Sequence, residues 1–159
     1  MIEIRPLRED DRAWAAEAQA EAWSAPVVAR LGELVDPTGL PGLVAFLDGE
    51  RAGLATYEVR GAECEVVTIQ SLREGRGVAR ALLDVARDAA LAAGCTRLWL
   101  ITTNDNLRAI RLYRRWGMDY VALHRNAVTE ARRTLKPSIP ERGAYGIPIA
   151  HELELELRL

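Results

Sequence analysis

Residues 69–83 read Ile-Gln-Ser-Leu-Arg-Glu-Gly-Arg-Gly-Val-Ala-Arg-Ala-Leu-Leu, and this is where residue types and spacing first suggest chemistry. An apolar, β-branched run (Val66, Val67, Thr68, Ile69) leads in, Gly75 and Gly77 sit in the middle, and an Ala/Leu-rich helical pattern follows. Strand, glycine loop and helix N-terminus in that order build an anion cradle. The first turn of a helix has N–H groups without intrahelical partners, and the helix dipole adds partial positive charge there. Glycines remove the Cβ that would keep a phosphate away from those groups. Taken alone, the pattern serves equally for an ordinary strand-to-helix turn in which glycine supplies positive φ. Arg76 and Arg80 are placed to add charge-assisted contacts to an anion, or to face solvent.

Elsewhere the reactive residue types form no motif. Cys64 and Cys95 have neither metal-ligand spacing nor disulfide density, so they read as small buried hydrophobes in a reducing, cytoplasmic setting. No metal site is expected, and His124 and His151 read as structural.

The elements that must position the cradle follow from periodicity. Ile2, Ile4 and Leu7 straddle polar residues and predict a short first strand ended or placed at an edge by Pro6. Asp10 or Asp11 can cap a helix through about Ser24 with Trp14, Ala18, Ala22 and Trp23 on one face, the tryptophans reading as core. Pro26 can open a second helix through about Val35. Apolar runs at 43–47 and 52–59 flank Asp48-Gly49, a hairpin signal, and a third strand of the meander spans 63–72. A helix follows, closed by Gly94, and then a strand over 97–103 whose nearly continuous apolar centre suits a sheet covered on both faces. Strand, helix, strand at this spacing implies a right-handed parallel unit. A helix capped by Asp105 or Asn106 stops at Gly117, with Ala109, Ile110, Leu112, Tyr113 and Trp116 inward and Arg108, Arg111 and Arg115 on a solvated face. Another strand spans 118–124. Residues 125–146, weakly helical and then Pro- and Gly-rich, form a connection of the length usually reserved for function or mobility. Glu152, Leu153 and the alternation that follows read as a last strand with one wet face.

The whole chain sets bounds. Its 159 residues suit one domain over 1–159, and a net charge of −2 gives no global electrostatic case for nucleic acid or an anionic membrane. No apolar run approaches the roughly 20 residues of a membrane span, and the start reads as a strand rather than a signal peptide.

The predicted order, β-α-α-β-β-β-α-β-α-β-β with a mixed α/β (α+β) sheet and the glycine cradle between the fourth strand and the third helix, resembles the GNAT acetyltransferase superfamily. The family motif Q/R-x-x-G-x-G/A falls on Glu74, Gly75, Arg76, Gly77, Val78 and Ala79; Gly77 and Ala79 match, and Glu74 departs. The second family element, an Asn ending the next strand and a helix carrying Ala and Leu-Tyr and ending in Gly, matches Asn104, Ala109, Leu112-Tyr113 and Gly117. The resemblance implies a splayed central sheet, acetyl-CoA as co-substrate and transfer of its acetyl group to a small-molecule or peptide amine. It implies that backbone N–H groups from Gly75 to Arg80 hold the pyrophosphate, with the Glu74 carboxylate pointing away. Val67 and Ile69 then pair with pantetheine, Asn104 lies beside its amides, and Tyr113 protonates the departing thiolate. Glu65 and Glu63 are the candidate bases, water being the alternative. The late strands offer an edge for a homodimer. Acceptor sites in such folds are built largely from the first two helices and the late strands, and the acidic last strand hints at a cationic acceptor.

Two other nucleotide readings fail on residues. A P-loop needs Lys-Ser/Thr after its last Gly, and a dinucleotide fingerprint needs Gly or Ala where Arg80 stands. A CoA-sensing or interaction module with the same fold is the non-enzymatic alternative, against which Tyr113 and Asn104 argue.

Overall fold

The computed structural model describes residues 1–23 and 27–159, with Trp23 described by its backbone alone. In chain order the elements are β1 (Ile2–Pro6), α1 (Arg12–Trp23), β2 (Val28–Arg30), β3 (Glu33–Val35), β4 (Gly42–Leu47), β5 (Glu50–Arg60) and β6 (Glu63–Ser71). There follow α2 (Val78–Ala92), β7 (Arg97–Thr103), α3 (Leu107–Trp116), β8 (Asp119–His124), α4 (Ala127–Thr134) and β9 (Glu152–Arg158). Seven strands form one mixed sheet in the order β1-β4-β5-β6-β7-β9-β8, and β2 and β3 form a separate hairpin.

Alternation along the strands gives the sheet two apolar faces. On one, Leu43, Ala45, Ala55, Cys64 and Val66 meet Val78, Leu82, Leu83 and Ala86 of α2 and Tyr113 of α3. On the other, Leu54 packs on Ala15 and Ala18 of α1, with Leu7 and Trp14 against them. Gly53 lets α2 come this close: a Cβ there would lie 2.5 Å from Val78 Cγ1 and 2.9 Å from the Gln70 carbonyl. The N-terminus of α2 is therefore pinned against the sheet by the absence of a side chain on β5.

The sheet is parallel at one place, β6 on β7, and that ladder is short. Glu63, Cys64 and Glu65 pair with Arg97, Leu98 and Trp99, and then the strands part. The cause is local. Tyr57 pairs with Val66 and Thr56 with Thr68, so Val67 is an extra residue in β6. A bulge bends the strand that carries it. Beyond it β6 stays on β5 as far as Ser71, while β7 stays on β9 to the Thr103–Glu152 pair.

Two expectations are corrected. The helix expected over 26–35 is the β2–β3 hairpin, Pro26 itself lying outside the described residues along with Ser24. Leu31 (φ 50°) and Gly32 (φ 75°) make the two-residue turn with positive φ at both positions that hairpins favour. Gly inside a helix costs about 1 kcal/mol and the valines disfavour it further, so the segment gains more as a ribbon. The glutamate face of β9 is not wet. Arg97 donates to both Glu154 and Glu156, whose side chains are only 14% exposed, and Glu152 is buried. The weakly helical stretch after Asn126 is a true helix, α4.

Asp11 anchors the other end of the sheet. Its carboxylate, 1% exposed, accepts from Arg5 at 2.6 and 3.0 Å, from Arg51 at 2.8 Å and from the Arg8 amide at 2.9 Å. It thereby ties β1 to β5 rather than capping α1 directly. These hydrogen bonds, that to Arg5 foremost, hold its pKa far below the usual carboxylate range. A depressed native pKa stabilises above the unfolded value of about 3.9, and this stabilisation is lost as pH falls toward the native one. Asp11→Asn should cost about 3 kcal/mol in urea unfolding at pH 7, the low end for a broken buried pair because both arginines keep access to water. The variant should also lose this group's share of the acid destabilisation below pH ~4 that the parent shows.

Candidate functional site

The loop between β6 and α2 is built as an amide cradle. Gly75 (φ 70°) and Gly77 (φ 79°) both take the left-handed conformation, and Gly77 caps α2 without any side-chain cap. Among the described residues, no backbone N–H from Glu74 to Arg80 donates to another backbone group; the first helical bond is Ala81 to Gly77. The first turn of α2 carries no acidic residue. A run of unspent donors at the positive end of a helix suits a pyrophosphate. Arg76 and Arg80 are exposed beside it. The Glu74 carboxylate is drawn across to Arg108 Nη1 of α3 at 2.5 Å, which lowers its pKa through the hydrogen bond first and the charge second.

Where β6 and β7 part, a cleft of about 370 Å³ opens, walled by residues 66–69 of β6 and 100–103 of β7. The bulge leaves Val67 half-buried on its wall beside Ile69. Tyr113 closes the floor from α3 at 5% exposure, and its hydroxyl makes no hydrogen bond among the described residues. Burial pushes its phenol well above the usual range, so it stays protonated as a donor. Ala109 is packed half-buried against the core one turn earlier, letting α3 sit close.

Asn104 has a different task from the one its position suggests. Its Oδ1 accepts the amides of Ala150 and His151 at 2.9 and 2.8 Å, and its Nδ2 donates to the Pro148 carbonyl at 2.9 Å. The side chain thus ties the approach to β9 onto the end of β7, and Asp105 and Asn106 stand in the cleft wall instead. His151 accepts the Asn126 amide, and His124 bonds Glu154, structural roles for both.

At the far end of the cleft, side chains from two strands and one connection hold the β2–β3 hairpin. Glu65 of β6 takes Arg30 in a bidentate pair, Nε to Oε1 at 2.6 Å and Nη2 to Oε2 at 2.8 Å. Glu152 of β9 accepts the Leu31 amide at 2.9 Å. Lys136, the chain's one lysine, donates to the Val27 carbonyl at 3.0 Å, with its pKa lowered by burial. Glu63 lies away from the cleft, half-exposed and 3.2 Å from Arg97. Of the two strand glutamates only Glu65 reaches the site. Arg30 and Lys136 carry no motif in the sequence, where a lysine alone among arginines is their one signal; Glu152 is legible there only as part of the acidic last strand that hints at a cationic acceptor. Among the described residues no three His, Cys, Asp or Glu side chains gather as a metal site, and no helix is long and apolar enough to cross a membrane.

Comparison with known proteins agrees with this geometry. YdhI of Bacillus subtilis, an uncharacterized protein, is 37% identical over 154 residues, covering 96% of both chains. Streptothricin acetyltransferase of Streptomyces lavendulae is 33% identical over 102 residues, 58% of this chain and 53% of its own. A Bacillus subtilis acetyltransferase solved in complex with CoA superposes with a TM-score of 0.68 at 17% identity, over 99% of this chain and 97% of its own. The sequence pattern of the acetyltransferase (GNAT) family matches residues 4–118, and with the splayed sheet and amide cradle in place, the chain belongs to that family.

Proposed function

We propose that this protein is an acetyl-CoA-dependent N-acetyltransferase that moves the acetyl group directly to a primary amine. The observation that carries the reading is the parting of β6 from β7 beside a row of unspent amides. A phosphorylated, amide-bearing arm needs both features: donors for its phosphates and a free strand edge for its amides. Acetyl-CoA supplies an activated thioester when bound. The amides from Gly75 to Arg80 hold its pyrophosphate, and the edge of β6 at Val67 and Ile69 pairs with pantetheine. The related streptothricin acetyltransferase, named for acetylating a small molecule, supports acetyl transfer.

Tyr113 donates to the departing sulfur. A phenol of raised pKa does not give up its proton freely to a thiolate whose parent thiol has a pKa near ~8.5. Its hydrogen bond stabilises the developing charge, and transfer completes as the new amide sheds a proton. An alkylamine with a pKa near ~10.4 costs about 4.6 kcal/mol to neutralise at pH 7, so a base is needed. Glu65 stands in the wall but is engaged by Arg30 through both oxygens, and its present task is to hold the hairpin.

Thiol release from acetyl-CoA across a panel of alkylamines, amino acids, aminoglycosides and peptides tests the reading. Amine-dependent release is expected; CoA binding with no stimulation by any amine would contradict it. Tyr113→Phe should lower kcat by about 10²-fold or more, the usual scale for a lost acid, and leave acetyl-CoA affinity within twofold by calorimetry. Glu74→Gln removes an anion beside the cradle and frees Arg108, so acetyl-CoA should bind about two- to fivefold more tightly, the scale of a charge at a helix N-terminus.

A further inference from the structure

Glu152 is a carboxylate that this scheme leaves without a task. It begins β9, is 2% exposed and lines the cleft at its hairpin end. One oxygen accepts the Leu31 amide; among the described residues the other accepts no hydrogen bond. Around it Arg30 is committed to Glu65 and Glu33, and Lys136 to the Val27 carbonyl. His124, its register partner on β8, is bonded to Glu154, and Thr103 lies across from it on β7. The remaining walls at this end are largely apolar, among them Val28, Ala29, Val128, Ala131 and Ile139. A cation entering this end therefore meets one uncommitted anionic oxygen.

We propose that Glu152 receives the acceptor's ammonium and takes its proton, and that the acceptor is a primary alkylammonium with no carboxylate or phosphate beside the reacting nitrogen. This rests on the N-acetyltransferase reading above. An anion next to the amine would face the uncommitted oxygen of Glu152, while the cations of the same lining, Arg30 and Lys136, are already engaged by Glu65 and the Val27 carbonyl; an alkyl chain fits the apolar walls. Burial raises the pKa of Glu152, against smaller opposing effects of the Leu31 amide, His124 and Arg30. That brings it nearer to neutrality, where a general base works best. Glu65 is not placed for this role, because both of its oxygens are engaged by the Arg30 guanidinium.

The ammonium gives one proton to the Glu152 carboxylate, and the neutral nitrogen's lone pair forms a bond to the thioester carbonyl carbon. The C–S bond breaks with its electrons on sulfur, and the sulfur takes the Tyr113 proton. The N-acetylated nitrogen returns its second proton to the Tyr113 oxygen, and Glu152 releases the first to solvent. One amide, one thiol and one proton result from one ammonium and one thioester.

Glu152→Gln is the test, because the amide oxygen still accepts from Leu31 and so keeps the hairpin latched. Thiol release is measured with n-butylamine, cationic at pH 7, and with 2,2,2-trifluoroethylamine, largely neutral there. For the variant, kcat/KM should fall about 10²- to 10⁴-fold with n-butylamine and less than tenfold with trifluoroethylamine, with CoA affinity by calorimetry unchanged. The acid limb of the parent pH–kcat/KM profile should vanish in the variant. Independently of turnover, ¹³C NMR of glutamate-labelled protein should show a carboxyl titrating above the ordinary value of about 4.3, absent in the variant and moved downward by n-butylamine. Equal losses with both amines, an acid limb that survives in Glu152→Gln, or one that vanishes in Glu65→Gln instead, would overturn the assignment while leaving N-acetyltransfer standing. If the parent released thiol with neither these nor any amine of the panel, both readings would fall together.

Discussion

A single inserted residue governs the arrangement of this molecule. Val67 has no partner of its own on β5, and from that bulge onward β6 bends away from β7. The consequence is a strand edge with unused hydrogen-bonding groups inside an otherwise continuous sheet. Such an edge is normally a liability; here it faces a narrow cleft rather than open solvent. The bulge also exchanges the faces of the residues beyond it. Cys64 and Val66 pack on the α2 side before it, and Ile69 does so after it, which turns Thr68 toward Gln19 of α1. The core stays continuous across the break because α2, held close by Gly53, spans it.

The two ends of the cleft are built on different physics. The end near α2 relies on backbone: glycine conformations and helix amides, with side chains kept out. The hairpin end relies on charge. Arg30 reaches Glu65 and lies 6.0 Å from the Trp99 ring, which Arg97 approaches from its own side at 5.1 Å. Buried pairs of this kind add little net stability, but breaking one is costly, so they fix position more than they strengthen the fold. An acceptor site that depends on such pairs can be retuned by a few charged residues without disturbing the cradle.

That division explains what could be read from the chain in advance. The cradle, β7, α3 and the Gly117 stop were legible because each rests on local rules: glycine at positive φ, apolar periodicity, a helix ended by glycine. The hairpin was not. Residues 28–35 are too short for periodicity to separate helix from strand, and Arg30 is fixed by a partner 35 positions away. Glu152 was hidden by the regular Glu/Leu alternation of β9, which reads as a wet face. Arg97 of β7 and the hairpin amide remove that face from water, and no local signal announces them. Asn104 shows the reverse: its place in the pattern was clear, while its side chain turns to the chain entering β9.

A crystal structure of the protein with CoA tests the central claim most directly. The pyrophosphate should lie on the amides from Gly75 to Arg80, pantetheine should pair with the β6 backbone at Val67 and Ile69, and the thiol should point toward Tyr113. CoA bound with β6 and β7 closed against each other, or with its phosphates away from the start of α2, would contradict the account.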